Sequence, residues 1–160
     1  MPTGDSIVGR ARPTAGFKFS VECSFLSGVT SFSKVTGLED ESTVIEYREG
    51  QDPATMSKFP GLSTFPNLVL ERGTTTDRSL IRWRERVIRI DKTGGNTVWG
   101  NEDYAADLQI NMWDRGGKLV RLWVVHNAWP AKLSHGDLDA SSSEILIMSL
   151  ELAHEGLVAH

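Results

Sequence analysis

Four histidines, His126, His135, His154 and His160, are the residues of this chain best suited to bind a metal or move a proton. Their spacing supports neither. A zinc or iron centre needs three or four ligands converging on one point, and none of these histidines forms an i, i+4 pair on a helix or stands at a metal-motif distance from a carboxylate. Asp137 and Asp139, two apart, would point the same way on a strand, as paired acid–base carboxylates do. Their serine-rich surroundings supply nothing to raise a pKa, so they read as hydrogen-bond acceptors of turns and loops. Ser141-Ser142-Ser143 lacks the glycine-flanked elbow that presents a nucleophilic serine. Gly94-Gly95 and Gly116-Gly117 stand in polar turns and do not lead a strand into a helix, so they do not cradle a phosphate. Cys23 is the only cysteine and alternates in phase with Phe17, Phe19 and Val21, the pattern of a small buried hydrophobe. No catalytic, cofactor-binding or metal-ligating set emerges. The expectation is a protein that is not an enzyme and holds no cofactor.

Composition narrows the remaining classes. At 160 residues and 17.7 kDa the chain is large enough for one domain with a real core and no staple. A formal charge of -4 and a pI near 5.6 argue against a surface built to coat nucleic acid. Residues 1–16 carry Arg10, Arg12 and two prolines but no apolar run, which fits neither a signal peptide nor a membrane span. They are expected to form a flexible arm ahead of a single domain over 17–160, made in a bacterial cytoplasm.

The elements that would position any site are mostly strands. From Phe17 the chain alternates, with Phe19, Val21 and Cys23 on one face and Lys18, Ser20 and Glu22 on the other. Residues 30–35 resume extended character up to a turn at Gly37. Residues 39–50 form a second stretch, with Ile45 and Tyr47 on one face and Val44, Glu46 and Arg48 on the other. Residues 51–66 hold three prolines and read as a long functional loop. Residues 67–72 are a strand with Leu68 and Leu70 inward.

Residues 77–90 are the one convincing helix, capped by Thr76 or Asp77. Leu80, Trp83 and Val87 make its apolar stripe, and Arg78, Arg82, Arg84, Arg86 and Arg89 its outer face. That face is either a solvated, partly paired one or a docking face for an acidic partner. After a polar connection over 91–106, residues 107–113 alternate again and Asp114-Arg115-Gly116-Gly117 turns the chain back. Residues 119–127 return, apolar on both faces at 120–125 and so covered on both sides. A connection over 128–138 precedes the last strand, 145–153, whose core face is Leu146, Met148, Leu150 and Leu152.

The sum is α+β and mainly antiparallel: a sandwich or half-open barrel of about seven strands with one packed amphipathic helix. Val44, Ile145 and Ile147 lie opposite faces that are already apolar, so either this fold or a neighbouring chain must cover them.

Several segments stand in a telling order. They are Val35-Thr36-Gly37-Leu38, Val44-Ile45-Glu46-Tyr47-Arg48-Glu49-Gly50, Pro60-Gly61 ahead of Leu68-Val69-Leu70-Glu71-Arg72-Gly73, Asn127-Ala128-Trp129-Pro130, and Leu150-Glu151-Leu152-Ala153-His154-Glu155-Gly156-Leu157. Over residues 17–157 the chain resembles the tail-tube family of contractile phages and related injection systems. The resemblance implies homo-hexameric rings stacked into a hollow tube for DNA or protein cargo. Sheath, baseplate and tube-terminator proteins are the implied partners, in a virion tail or an extracellular injection particle. It puts Glu46, Arg48, Ser149 and Glu151 on the lumen wall. Val44, Tyr47, Met56, Phe59, Pro60, Leu62, Phe65, Ile145 and Ile147 become inter-subunit contacts, with residues 50–64 reaching a neighbour. Arg78, Arg82, Arg86 and Arg89 would face the sheath. The 91–106 connection is longer than is usual for the family. A type VI secretion tube protein is the nearest alternative, and a monomeric β-barrel binding a small ligand the alternative from another class.

Overall fold

The computed structural model describes residues 16–48, 50, 56–92, 104–141 and 143–160. Residues 1–15 of the expected arm and residues 93–103 of the 91–106 connection lie outside them. Ten strands and one helix follow in the order β1 (Lys18–Glu22), β2 (Thr30–Phe32), β3 (Lys34–Thr36), β4 (Glu41–Tyr47), β5 (Ser57–Thr64), β6 (Leu68–Gly73), α1 (Ser79–Lys92), β7 (Ala106–Trp113), β8 (Leu119–Ser134), β9 (Ile147–Ala153) and β10 (Gly156–Ala159). All strand pairs are antiparallel.

The main sheet runs β2-β1-β7-β8-β9-β6-β3, with β10 added alongside β8. Its two ends, β2 and β3, are separated in the chain by Ser33 alone. The Ser33 N–H and hydroxyl both donate to the Glu71 carbonyl, at 2.8 and 2.9 Å, and pin that corner to β6. β8 makes the opposite corner. Its first half pairs with β7 and β10, and its second half with β9. Asn127 stands between the halves at φ 54, a left-handed conformation that asparagine tolerates better than most residues. Its N–H donates to Asp107 Oδ1 at 2.9 Å. Strands that switch sheets through such bends are the usual corners of a packed β sandwich.

Between the two halves lies the core. β6 and β9 bury every second residue, giving Leu68 and Leu70 on one and Met148, Leu150 and Leu152 on the other. Val21, Phe32, Leu108, Ile110, Val125 and Ala128 face them. Cys23 packs against this cluster, and burial pushes its thiol up. On β1 the second face is not open at Ser20, which is buried and accepts from Trp113 Nε1 at 2.8 Å.

The helix closes one flank. Asp77 accepts from the Ser79 N–H at 3.0 Å and from its hydroxyl at 2.8 Å, occupying donors that a helix start leaves free. The helix therefore begins two residues later than the sequence suggests. Leu80 and Trp83 are buried. Trp83 stacks on Phe25 with ring centroids 5.7 Å apart and donates Nε1–H to the Tyr104 carbonyl at 2.7 Å. Arg84 reaches across to the Pro130 carbonyl at 3.2 Å.

Four sequence expectations need correction. The long loop over 51–66 contains β5, and the connection over 128–138 is largely the continuation of β8. In both cases prolines mislead, because Pro60 sits in a strand with only one partner and Pro130 sits beside a register shift, two places where a missing N–H is tolerated. β10 follows the strand expected to be last, so the strands among the described residues number ten, against about seven expected. Coverage on both faces over 120–125 also fails at the start of β8, where Val120 and Arg121 are exposed.

Arg72 is a charged residue at a core position of β6. It continues the inward phase of Leu68 and Leu70, so its guanidinium is buried, 5.7 Å above the Phe32 ring. Nη1 lies 3.7 Å from Asp77 Oδ2, while Nε and Nη2 are buried without a protein partner. A buried cation of this kind needs its one counter-charge. The Asp77 carboxyl is held below its ordinary range, first by the Ser79 hydrogen bonds and then by Arg72. A depressed carboxyl adds stability that is present above its unfolded pKa and lost as pH falls through the folded one. Asp77→Asn keeps a cap oxygen but removes the charge. It should lower the unfolding free energy by about 1–3 kcal/mol at neutral pH. Urea unfolding should show that difference closing as pH drops below about 4.

Candidate functional site

β4 and β5 form a two-stranded sheet that pairs with no other described strand. Its register runs from Glu41↔Thr64 to Tyr47↔Ser57, with a shift between Ser42 and Val44. Gly61 lies against that irregularity, where a Cβ would collide with Thr43. The strands are tied laterally by the Ser42–Ser63 hydroxyl pair at 2.9 Å and by Thr43 Oγ1 donating to the Leu62 carbonyl at 3.3 Å. Every residue of β4 is exposed, and so is all of β5 but Gly61. Val44, Ile45, Tyr47, Phe59 and Leu62 thus present apolar side chains on both faces, Leu62 being 81% exposed. An isolated two-stranded hairpin is marginal in water, and this one is also greasy.

The expected contact residues divide accordingly. Val44, Tyr47, Met56, Phe59, Pro60 and Leu62 lie on or at this arm and are exposed. Phe65 does not share that exposure. It is half-buried at the arm's root, its ring 5.7 Å from the His154 ring. Ile145 and Ile147 sit away from the arm, just before and at the start of β9, and both are exposed. Ile45 and Leu138, not singled out from the sequence, belong with these groups by exposure. For Ile45 the signal was present, since alternation put apolar residues on both faces of its strand.

Ile145 and Ile147 line a groove of about 760 Å³ together with Gly136, Leu138, Asp139 and Glu144 among others. Asp139 does what its loop setting suggested. Its Oδ1 accepts from the Ser141 hydroxyl at 2.6 Å and the Ser141 N–H at 2.9 Å, which holds the carboxyl low. The β6–β9 register, Leu68↔Leu152 to Gly73↔Ile147, fixes where arm and groove lie. The arm roots beside Leu68, and the groove opens beside Ile147. They occupy opposite ends of the same strand pair.

The four expected lumen residues lie on two parts of the chain. Glu46 is on the arm, 3.9 Å from Lys58 Nζ, and Arg48 follows β4, exposed. Ser149 and Glu151 lie on the half-open face of β9, where Glu151 Oε1 accepts from Asn67 Nδ2 at 2.8 Å. On and just before α1, Arg78, Arg82, Arg86 and Arg89 are all exposed. Arg78 supplies the carbonyl that accepts the Arg82 N–H at 2.9 Å, and the Arg86 guanidinium lies 5.0 Å over the Phe25 ring.

Of the histidines, His126 lies 3.6 Å from Asp107 Oδ2, and His154 faces two backbone carbonyls. Among the described residues no group of three or more His, Cys, Asp or Glu side chains is arranged to hold a metal. The site is a set of surfaces, with geometry for assembly.

The fold has solved counterparts. The chain is 24% identical to a chain of the sheath–tube complex of the PVC extracellular contractile injection system in its extended state, with a TM-score of 0.72 over 99% of both chains. It is 26% identical to a chain in the sheath/tube terminator structure of that system, with a TM-score of 0.70 over 96% of this chain and 99% of the other. A type six secretion system protein shares the fold alone, at 6% identity and a TM-score of 0.59 over 90% of this chain and 83% of that one. No curated protein matches the chain. The family model of the T4-like virus tail tube protein gp19 matches residues 15–158. With that match spanning nearly the whole chain and the fold agreeing, the protein belongs to the gp19 tail tube family.

Proposed function

We propose that this chain is the repeating structural subunit of the inner tube of a contractile phage tail or contractile injection system. The observation that carries the reading is the β4–β5 arm, apolar on both faces and paired with no other described strand. Burying each of its large side chains in a neighbour is worth roughly 1.5–3 kcal/mol, so a lattice of such contacts repays the ordering of the chains.

Arm and groove at opposite ends of one strand pair form a head-to-tail contact, the kind that repeats along an axis. Residues 56–64 of one subunit then meet the next through Phe59 and Leu62, while Val44, Tyr47, Ile145 and Ile147 serve lateral contacts within homo-hexameric rings. Joining β4 to the β9 side of an adjacent subunit would gather Glu46, Arg48, Ser149 and Glu151 on one wall, that of the lumen. An acidic chain overall suits a conduit that passes DNA or protein cargo without gripping it. The arginines of α1 form the outer face, toward a sheath, with baseplate and terminator proteins at the ends. The subunit is made in the bacterial cytoplasm and works in a virion tail or an extracellular particle, where sheath contraction drives the tube through a target envelope.

The alternatives fare less well. The likeness to a type six secretion system protein stops at the fold, at 6% identity. A small-ligand barrel would need an open interior, and the space between the two halves is filled by Leu68, Leu108, Ile110, Met148, Leu150 and Leu152.

Two experiments test the assignment. In negative-stain images the purified protein should form rings or tubes, and Phe59→Asp with Leu62→Asp should abolish them while circular dichroism keeps its β signature. Intact tubes from that variant would place the arm outside the contacts. Arg82→Glu with Arg86→Glu should leave tubes intact and remove co-sedimentation with the sheath protein. Unchanged co-sedimentation would move the sheath contact elsewhere.

A further inference from the structure

The register of β3, β6, β9 and the second half of β8 sets residues from four strands in rows. Val35, Leu70, Leu150 and Leu133 form one row, packed in or against the core. The rows on either side of it face the other way, because successive side chains of a strand alternate. One is Lys34, Glu71, Ser149 and Ser134; the other is Thr36, Val69, Glu151 and Lys132. All are exposed or half-buried, and Val69 alone is apolar.

Opposite charges face each other across this sheet. Lys34 stands opposite Glu71, its Nζ 3.6 Å from Oε2, and Lys132 stands opposite Glu151. The arm repeats the pattern, with Glu46 and Lys58 in register and 3.9 Å apart. Exposed pairs of this kind add little to stability. Their stronger effect is on the field, since a charge beside its opposite is felt over a shorter distance than a bare one. Two lysines and two glutamates cancel in these rows, so the net charge of -4 comes from other parts of the chain. The helix shows the contrast, with Arg78, Arg82, Arg86 and Arg89 all of one sign and all exposed.

We propose that this four-stranded face is the main wall of the lumen and that it is charge-compensated, Lys34, Glu71 and Lys132 joining Ser149 and Glu151 there. The proposal rests on the tube reading above. In a ring the face recurs around the axis, and a wall of one sign would focus its field on whatever passes. A bare lysine row would hold phosphates, and a bare glutamate row would hold basic segments. A compensated wall does neither, so passage does not depend on the sign of the cargo's charge.

The test places one thiol in the face, as Ser149→Cys or, in the same row, Ser134→Cys, with Cys23→Ser removing the native one. A maleimide carried on a bulky globular protein should label free subunits but not assembled tubes, whereas Arg82→Cys should be labelled in both. Small cationic and anionic methanethiosulfonates should then react with the same rate ratio in tubes as in free subunits. Lys34→Gln with Lys132→Gln should shift the ratio in tubes roughly tenfold toward the cation, and Glu71→Gln with Glu151→Gln as far toward the anion, the scale set by a cleft of one charge sign. Wild-type chains that form no rings or tubes overturn the tube reading and the wall with it. Tubes labelled by the bulky maleimide at both positions overturn the wall alone. A ratio already skewed in tubes before any lysine or glutamate is changed, or one that neither pair of changes moves, overturns the compensation.

Discussion

A sheet strand must satisfy its backbone donors and acceptors along its whole length, and the sixteen residues of β8 meet that demand with three different partners. The first half is held between β7 and β10, and past the bend at Asn127 the strand turns to β9. This one strand determines how the two halves of the sandwich face each other. It also carries the helix, because Arg84 bonds to Pro130 and α1 packs on β8. The arm and the groove are set in turn by β6 and β9, which hang from its second half.

Stability and assembly are divided between different parts of the chain. The sandwich is closed by its own apolar side chains, with one charged intruder, Arg72, tied to Asp77 at the start of the helix. The arm has no such closure. In the proposed tube its side chains do for a neighbouring subunit what Leu68 or Leu150 does for its own. Belonging to the tail tube family gives that division its meaning, since a tube subunit must fold before it finds its neighbours and yet keep apolar surface ready for them.

Much of this was legible in residues and spacing. The 3.6 period of Leu80, Trp83 and Val87 located the helix, the Asp114–Gly117 turn located the β7–β8 hairpin, and strict alternation placed Met148, Leu150 and Leu152 inward. What stayed hidden depended on partners that local sequence does not specify. Pro60 and Pro130 look like loop residues until the strand beside them is known, and β10 is too short to announce itself. Arg72 was in phase with Leu68 and Leu70 all along, but a charge at a core position makes sense only once Asp77 is seen across from it. The resemblance to tail-tube proteins, spread over the same segments, agreed with the fold where periodicity alone was silent.

The strand order also bears on how the chain comes to be folded. Lys18 finds Trp113, and Leu68 finds Leu152, so half of the sandwich is assembled from partners far apart along the chain. Closing such loops costs entropy before any contact repays it, which makes folding slow relative to helical proteins. The β4–β5 hairpin, by contrast, is local and forms on the microsecond scale of hairpins. During synthesis the sticky arm therefore emerges, open or only marginally paired, long before residues 147–153 exist to complete the sandwich. Ribosomes on one message would present many such arms side by side, and the interval before β9 arrives is when these chains are most exposed to premature association.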